Sequence, residues 1–277
     1  MTHVKRTIQI EDLLLNLPAP TEMEVEWIGQ EEVIKQILAS WMVLQEEDLP
    51  LNPRIVGRPG MGKTTCAYAA ATRMGRPVYL FQATMDTRPE DLIVMPVIGP
   101  SQTIQYMTSS ILAAAVNGGI CILDEGNRMN ERAWASLAPL LDNRRYMESL
   151  VTGIKISAHP AFRFVTTMNE DASTYDLPEY IHSRLQPQIH IDFPEPEEEE
   201  AILRANVPFA GDQILDYVLS FLARAHEADQ RYTVRDGINI VRYALKWIDR
   251  EGGTEQDAFW KSLRMILGEE AEPYAPS

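Results

Sequence analysis

Apolar positions along the chain fall into two regimes. In the first, short apolar runs alternate with helical periods; in the last third every apolar pattern is helical. Residues 78–81 (VYLF), 120–123 (ICIL) and 162–168 (FRFVTTM) are apolar along most of their length, without strict alternation. A strand covered by helices on both faces reads this way, because neither face meets water. Segments 54–57 and 188–191 are the shorter strands of the same set. Between them the spacing predicts helices. One runs through Val33, Ile37, Leu38, Trp41, Met42 and Leu44, closed by Pro50 and Pro53. The next covers residues 67–74 and is ended by Gly75-Arg76-Pro77. A third covers 109–117 with Gly118-Gly119 as its stop, and a fourth covers 131–141.

Residues 93–107, β-branched with Pro96, Gly99 and Pro100, predict a hairpin or irregular insertion. Residues 146–156 alternate around Gly153 and predict a second hairpin. Residues 1–24 read as a weakly structured lead-in. Ile8, Ile10, Leu13, Leu14, Leu15 and Leu17 form a short amphipathic piece, ended by Pro18 and Pro20, that packs on the main body. Alternation of strands and helices over 25–193 predicts a parallel, layered α/β fold. Phe193-Pro194-Glu195-Pro196 then breaks the chain. The glutamates at 197–200 read as a solvated run favouring a helix N-terminus through the dipole. About four helices follow, and the tail 269–273 is expected to fray.

Composition adjusts this picture only modestly. The 277 residues carry 40 acidic and 25 basic side chains, a net charge of −15. That balance argues against a surface that clings to nucleic acid, while leaving room for a local basic groove. Cys66 and Cys121 fall inside a predicted helix and strand and read as small hydrophobes. The five histidines show no metal-ligand spacing. The first residues have no apolar signal core, and no window reaches membrane-spanning length. The expectation is a soluble protein of a reducing, cytoplasmic compartment without a membrane span.

The chemistry concentrates at two strand ends. Gly57-Arg58-Pro59-Gly60-Met61-Gly62-Lys63-Thr64, followed by Thr65, fits the P-loop spacing Gly-x4-Gly-Lys-Thr between a strand and a helix. The glycines permit positive φ and let backbone N–H groups approach a phosphate. The helix starting near Lys63 adds its dipole. Lys63 can reach the β- and γ-phosphates and the Thr64 hydroxyl can ligate Mg²⁺. A kinase or a GTPase would fit these positions equally. Asp124 and Glu125 end the buried run at 120–123, where ligands bind in open α/β sheets. Two adjacent carboxylates there favour a cation. Asp124 is placed to hold Mg²⁺ and Glu125 to polarise a water.

The order of these motifs resembles the AAA+ ATPases, closest to the MoxR-like group and its dynein-related relatives. The resemblance is carried by Ile28-Gly29-Gln30-Glu31, residues 57–65, Leu123-Asp124-Glu125-Gly126-Asn127-Arg128, residues 159–169 and Ser183-Arg184-Leu185, and spans roughly residues 25–250. It implies a P-loop αβα sandwich with a five-stranded parallel sheet and a small helical lid. The organisation would be an extension at 1–24, a nucleotide-binding domain at 25–194 and a lid at 195–277. Ile28 and Gly29 would line the adenine pocket, and Asp124 and Glu125 would be the Walker B metal partner and water activator. Asn169 would be sensor 1, Arg184 an arginine finger acting on the neighbouring subunit's ATP, and Arg235 sensor 2. Residues 93–107 and 146–158 would face a central pore. Many relatives have an apolar residue in place of Gly126 and a proline in place of Val234.

The resemblance thus implies a Mg²⁺-dependent ATPase working as a self-assembled ring, most simply a hexamer, that remodels or matures a protein client. A partner with a von Willebrand factor A domain is a further implication. Arg144 and Arg145 are additional candidates for an interface. Two rivals are an ATP-gated scaffold with slow hydrolysis and a nucleic-acid motor or loader. The charge of −15 weighs against the second. The client is not legible in the sequence.

Overall fold

The structure, a computed structural model, describes residues 4, 6–99, 102–170 and 176–276. Met1, Thr2, His3 and Lys5 at the start of the lead-in, and Pro100 of the insertion, lie outside the described residues. The chain forms two compact units. One comprises Met1–Trp27, Glu31–Gly57 and Lys63–Ile191; the other comprises Ile28–Gln30, Arg58–Gly62 and Asp192–Ser277.

The first unit runs β1 (Thr7–Ile10), β2 (Leu13–Asn16), α1 (Glu31–Ser40), β3 (Arg54–Gly57), α2 (Lys63–Arg73), β4 (Val78–Gln82), β5 (Val94–Ile98) and β6 (Ile104–Thr108). It continues with α3 (Ser110–Asn117), β7 (Ile120–Asp124), α4 (Glu131–Leu137), β8 (Tyr146–Glu148), β9 (Lys155–Ser157), β10 (Arg163–Asn169), α5 (Glu179–His182) and β11 (Gln188–His190). Its centre is a five-stranded parallel sheet in the order β11-β3-β10-β7-β4, within a P-loop αβα sandwich. The apolar runs explain the order. All seven residues of β10 are buried, and Ile120, Cys121, Ile122 and Leu123 of β7 are fully buried. Such strands belong in the middle, with the less buried β11 and β4 at the edges. Burial pushes the Cys66 thiol up to about 12 and raises that of Cys121 too, so both are inert apolar residues.

Trp41 locks the start of β10. Its indole Nε1 donates to Phe164 O at 2.9 Å, while Arg163 Nε donates to Trp41 O at 2.7 Å. The buried Arg163 guanidinium is satisfied by backbone carbonyls, and desolvation brings its pKa down to about 10. Helix α1 stops at Ser40, short of the predicted Leu44. Ser40 Oγ donates to Gln36 O and its own carbonyl accepts from Leu51 N, which turns the chain away from the helix.

From residue 6 to residue 24 the lead-in is more ordered than its sequence predicts. β1 and β2 pair antiparallel, β2 pairs parallel with β6, and β6 pairs antiparallel with β5, giving a second sheet in the order β1-β2-β6-β5. Leu15 is fully buried there. The partner strand lies some ninety residues along the chain, a separation that local patterning does not reveal; Asn16 Nδ2 bonds Tyr106 O across it. The expected hairpins at 93–107 and 146–156 form as β5-β6 and β8-β9. Pro96 sits on β5, an edge strand, where a missing N–H is tolerated.

The second unit contains α6 (Pro196–Asn206), α7 (Asp212–Glu227), α8 (Val234–Glu251) and α9 (Glu255–Leu267), packed around Leu203, Leu215, Phe221, Leu222, Val241 and Phe259. The tail does not fray as expected. Residues Glu269–Tyr274 make a tight 3₁₀ turn, Ala271 is fully buried, and Arg224 Nη1 donates to Ala275 O at 2.8 Å. The acids at 197–200 are also more than a solvated run: Glu199 is only 3% exposed. Among the described residues no helix is long and apolar enough to cross a membrane.

Truncating a fully buried leucine typically costs about 2–5 kcal/mol. Leu15→Ala should therefore destabilise the first unit by that amount in urea unfolding, and a loss below about 0.5 kcal/mol, as for a surface site, would show that the N-terminal hairpin is not integral to the core.

Candidate active site at the carboxyl edge of the parallel sheet

Register brings the predicted residues together. Asn169 of β10 lies opposite Gly57 of β3, and Gln82 of β4 lies opposite Asp124 of β7. Four adjacent strands therefore end at one level, and the side chains there form a single polar cluster. The loop after β3 has φ +88° at Gly60 and +78° at Gly62, conformations that side chains disfavour. A Cβ on Gly57 would lie 2.6 Å from Ile191 O, so only glycine permits that approach. Helix α2 opens at Lys63.

Lys63 is 7% exposed and its ammonium donates to Gly57 O at 2.8 Å, across the base of the loop. Thr64 Oγ1 donates to Asp124 Oδ1 at 2.5 Å. Thr167 Oγ1 donates to the same Oδ1 at 2.5 Å and accepts the Glu125 N–H at 3.0 Å. Thr64 and Asp124 thus present two hard oxygen donors side by side, the set that suits Mg²⁺. Among the described residues no group of three or more His, Cys, Asp or Glu could hold a metal. A Mg²⁺ here would accordingly draw the rest of its shell from water and phosphate oxygens.

Glu125 occupies the left-handed region at φ 54°, ψ 41°, a conformation uncommon for a non-glycine residue and frequent at functional sites. Its Oε1 accepts from Asn169 Nδ2 at 3.2 Å, and its Oε2 from Gln82 Nε2 at 3.1 Å. Arg128 Nε lies 2.7 Å from Oε2. The Asn127 side chain holds the Asn169 backbone, its Nδ2 donating to Asn169 O at 2.8 Å and its Oδ1 accepting from Asn169 N at 3.4 Å. At Gly126 a Cβ would collide with the Thr166 hydroxyl and crowd the Trp134 ring. The departure from the apolar residue of the relatives thus has a local steric reason.

Arg184 is placed elsewhere. Its Nη2 and Nε bond Asp142 Oδ2 at 3.0 and 3.2 Å, and its Nη1 bonds Tyr180 O at 2.5 Å. Arg144 shares the same carboxylate, with Nη2 2.8 Å from Oδ2. Arg145 packs inward instead. Its guanidinium lies 5.4 Å from the Phe162 ring centre and donates to Phe162 O, so it serves the core. Arg144 and then Arg184, through their hydrogen bonds, pull the Asp142 carboxyl down to about 2 against burial.

The remaining predicted residues, Thr65 of α2 apart, belong to the helical unit. Gly29 has φ +76° and packs against the Glu198 carboxylate, which accepts the Gln30 N–H at 2.9 Å; Ile28 beside it is half-buried. Arg58 Nη2 pairs with Asp229 at 2.6 Å and Nη1 bonds Gln230 O, with the guanidinium 5.4 Å from the Phe193 ring centre. A Cβ on Gly60 would lie 2.7 Å from Thr233 Oγ1. Pro59 is exposed and Met61 buried. Arg235 is exposed on the first turn of α8. Thr65 is half-buried on α2. Sequence reading missed Gln82, Thr167 and Arg128. Two have a position signal: Gln82 is the last residue of β4, and Arg128 follows Glu125 by three.

Residues 54–185 match the AAA domain (dynein-related subfamily). Protein NorQ of Paracoccus denitrificans (strain Pd 1222) is 31% identical over 178 residues, covering 62% of this chain and 63% of NorQ. The Holliday junction branch migration complex subunit RuvB of Thermobifida fusca (strain YX) is 26% identical, covering 76% of this chain and 56% of RuvB. The chain thus spans less than two thirds of the length of either relative. A solved structure of a Thermotoga maritima RuvB mutant superposes with a TM-score of 0.60 at 18% identity, covering 87% of this chain and 71% of that one, which is a likeness of fold.

The lowered pKa of Asp142 makes a signed prediction. A carboxyl depressed in the folded state contributes stability above its unfolded value of 3.8, and that contribution fades as pH falls toward about 2. The parent should therefore lose stability more steeply than Asp142→Asn between pH 4 and 2, measured by denaturant unfolding at each pH. Parallel curves would mean that the guanidinium pairs contribute nothing in solution.

Proposed function

Because this chain belongs to the AAA+ proteins of the dynein-related, MoxR-like group, we propose that it is a Mg²⁺-dependent ATPase that works as an oligomeric ring and remodels or matures a protein client. The observation that carries this reading is the single cluster of Thr64, Asp124, Glu125 and Asn169 at the sheet edge, beside the loop that begins at Gly57. In this reading the loop N–H groups and Lys63 bind the β- and γ-phosphates. Thr64 and Asp124 hold Mg²⁺, which supplies charge neutralisation of the phosphate oxygens. Glu125 takes the proton of the attacking water at a carboxylate oxygen, and Asn169 Nδ2 orients that carboxylate. Ile28 and Gly29 take the adenine, and Arg235 acts as sensor 2 from the helical lid at 195–277.

Arg184 is the arginine finger of a neighbouring copy. Support for a role in trans comes from its bonds to Asp142 and Tyr180 O, away from the Glu125 cluster of its own chain. Each copy then supplies half of an active site, which favours a closed ring, most simply a hexamer. A cytoplasmic setting and a partner bearing a von Willebrand factor A domain follow from the same group membership. The likeness to RuvB gives a nucleic-acid motor a specific footing. The net charge of −15 weighs against it, and stimulation of hydrolysis by DNA in a salt-dependent manner would restore it.

Glu125→Gln should bind ATP and lose turnover, Lys63→Ala should lose binding, and Arg184→Ala should lose about 10³-fold or more in rate. Mixing Glu125→Gln with Arg184→Ala should restore part of the activity, since some mixed interfaces then hold an intact half from each. Turnover by Glu125→Gln would overturn its role. A mixture as inactive as its components would overturn action in trans.

A further inference from the structure

We propose that Glu199 and His226 hold a shared proton inside the helical unit, and that its loss above neutral pH loosens the hold of that unit on Arg58 and weakens nucleotide binding. The link to nucleotide rests on the reading of residues 57–64 as the phosphate loop.

The proton count follows from what the imidazole meets on its two sides. His226 Nε2 lies 2.8 Å from Tyr232 O. A backbone carbonyl only accepts, so Nε2 carries a hydrogen and donates it. In the neutral ring Nδ1 is then a bare lone pair. It faces Glu199 Oε1 at 3.4 Å, and that oxygen is buried with no hydrogen bond. A carboxylate set against a lone pair out of water is unfavourable, because neither side supplies a proton and low dielectric strengthens their repulsion. Turning the ring to its other tautomer only moves the conflict to Tyr232 O. One proton between Glu199 and His226, beyond the ring's own, removes it at both ends. Desolvation raises the Glu199 carboxyl to about 7. Desolvation also holds His226 below its ordinary value against the Tyr232 bond, and Arg58 adds to that lowering. The proton therefore rests on Glu199 and leaves near neutral pH.

Neighbouring charges are committed elsewhere. On α6, Glu198 accepts the Gln30 N–H and Glu200 pairs with Arg204. On α7, Arg224 donates to Ala275 O; beyond it Arg231 lies near Glu270, and Asp236 of α8 caps Thr233. Burial raises the Tyr232 phenol, which stays neutral. Among the described residues no Lys or Arg pairs with Glu199.

A continuous stack joins this proton to Arg58. The His226 ring lies on Phe193, with centroids 3.7 Å apart and planes at 22°. The Arg58 guanidinium lies 5.4 Å from the Phe193 centre. Arg58 also bonds Asp229 Oδ1 at 2.6 Å and Gln230 O at 3.1 Å, on the segment just past His226. An imidazole that turns away from an ionised Glu199 therefore disturbs both the stack and the segment that hold Arg58.

The test compares the parent with Glu199→Gln, whose amide has the same shape and donates at every pH, so that it mimics the protonated form. Urea unfolding of both is measured from about pH 5 to 8.5, across the raised value of Glu199. A carboxyl raised in the folded state contributes stability that is fully present below its ordinary 4.5 and is lost as pH rises through about 7. The parent should therefore lose stability relative to Glu199→Gln over that interval. Binding of Mg·ADP, which is not turned over, is measured at the same pH values. The affinity of the parent should fall about fivefold relative to the variant between the two ends of the range. The titration of ADP itself is common to both and cancels. Parallel unfolding profiles overturn the shared proton. Diverging unfolding profiles with a constant ratio of ADP affinities overturn the link to Arg58. Failure of the parent to bind Mg·ADP at any pH instead overturns the reading of the phosphate loop, and the unfolding comparison then decides the proton alone. Should Glu199→Gln fail to fold, Glu199→Leu, which has no proton to lose, takes its place in both measurements with the same outcomes.

Discussion

Two hydroxyls, Thr64 from α2 and Thr167 from β10, converge on one oxygen of Asp124 at the end of β7. This junction ties three elements of the parallel sheet together at the level where its chemistry sits. Thr167 also receives the Glu125 N–H, so the same hydroxyl sets where the next carboxylate begins. A carboxylate oxygen receiving two short hydrogen bonds is satisfied only while both neighbouring elements stay in register. The register of the strands and the placement of the site are therefore one constraint.

Around that junction the structure separates fixed parts from movable ones. Lys63 and Asn127 are buried, and each donates from its side chain to a backbone carbonyl. Glu125 and Arg128 are half-exposed, and their mutual bond runs between side chains. A side chain held by backbone needs a shift of the fold to move it, whereas a side-chain ion pair near water needs only a rotamer change. The chemistry proposed for Glu125 thus falls on the part of the cluster best able to rearrange. Arg184, Arg144 and Asp142 form a second polar group, in which two guanidinium groups share one carboxylate.

A different logic governs the helical unit. Segments 28–30 and 58–62 are grouped with the C-terminal helices although they lie far from them in sequence. Glu198 accepts from Gln30, Arg58 pairs with Asp229, and Gly60 packs against Thr233. Next to Glu198, Glu199 is buried with its carboxyl raised to about 7 by desolvation; its Oε1 lies 3.4 Å from His226 Nδ1. The four glutamates in a row thus do different things: one bonds the residue after Gly29, and another is taken out of water.

The sequence by itself determined the elements whose signals are local. The phosphate loop at 57–64, the buried run ending in Asp124 and Glu125, the strand ending in Asn169 and the break at Pro194 are each written in consecutive residues, because glycine conformation, burial on both faces and proline geometry act over a few positions. The tertiary structure alone decided what depends on partners far along the chain. Leu15 is core because β2 finds β6, Ala271 is buried because the tail docks on α7, and Arg145 is inward because Phe162 receives it. Gln82 and Thr167 became visible as parts of the site only once strand register set them beside Glu125 and Asp124. Periodicity tells a residue whether it is inside; only packing tells it which residue it meets there.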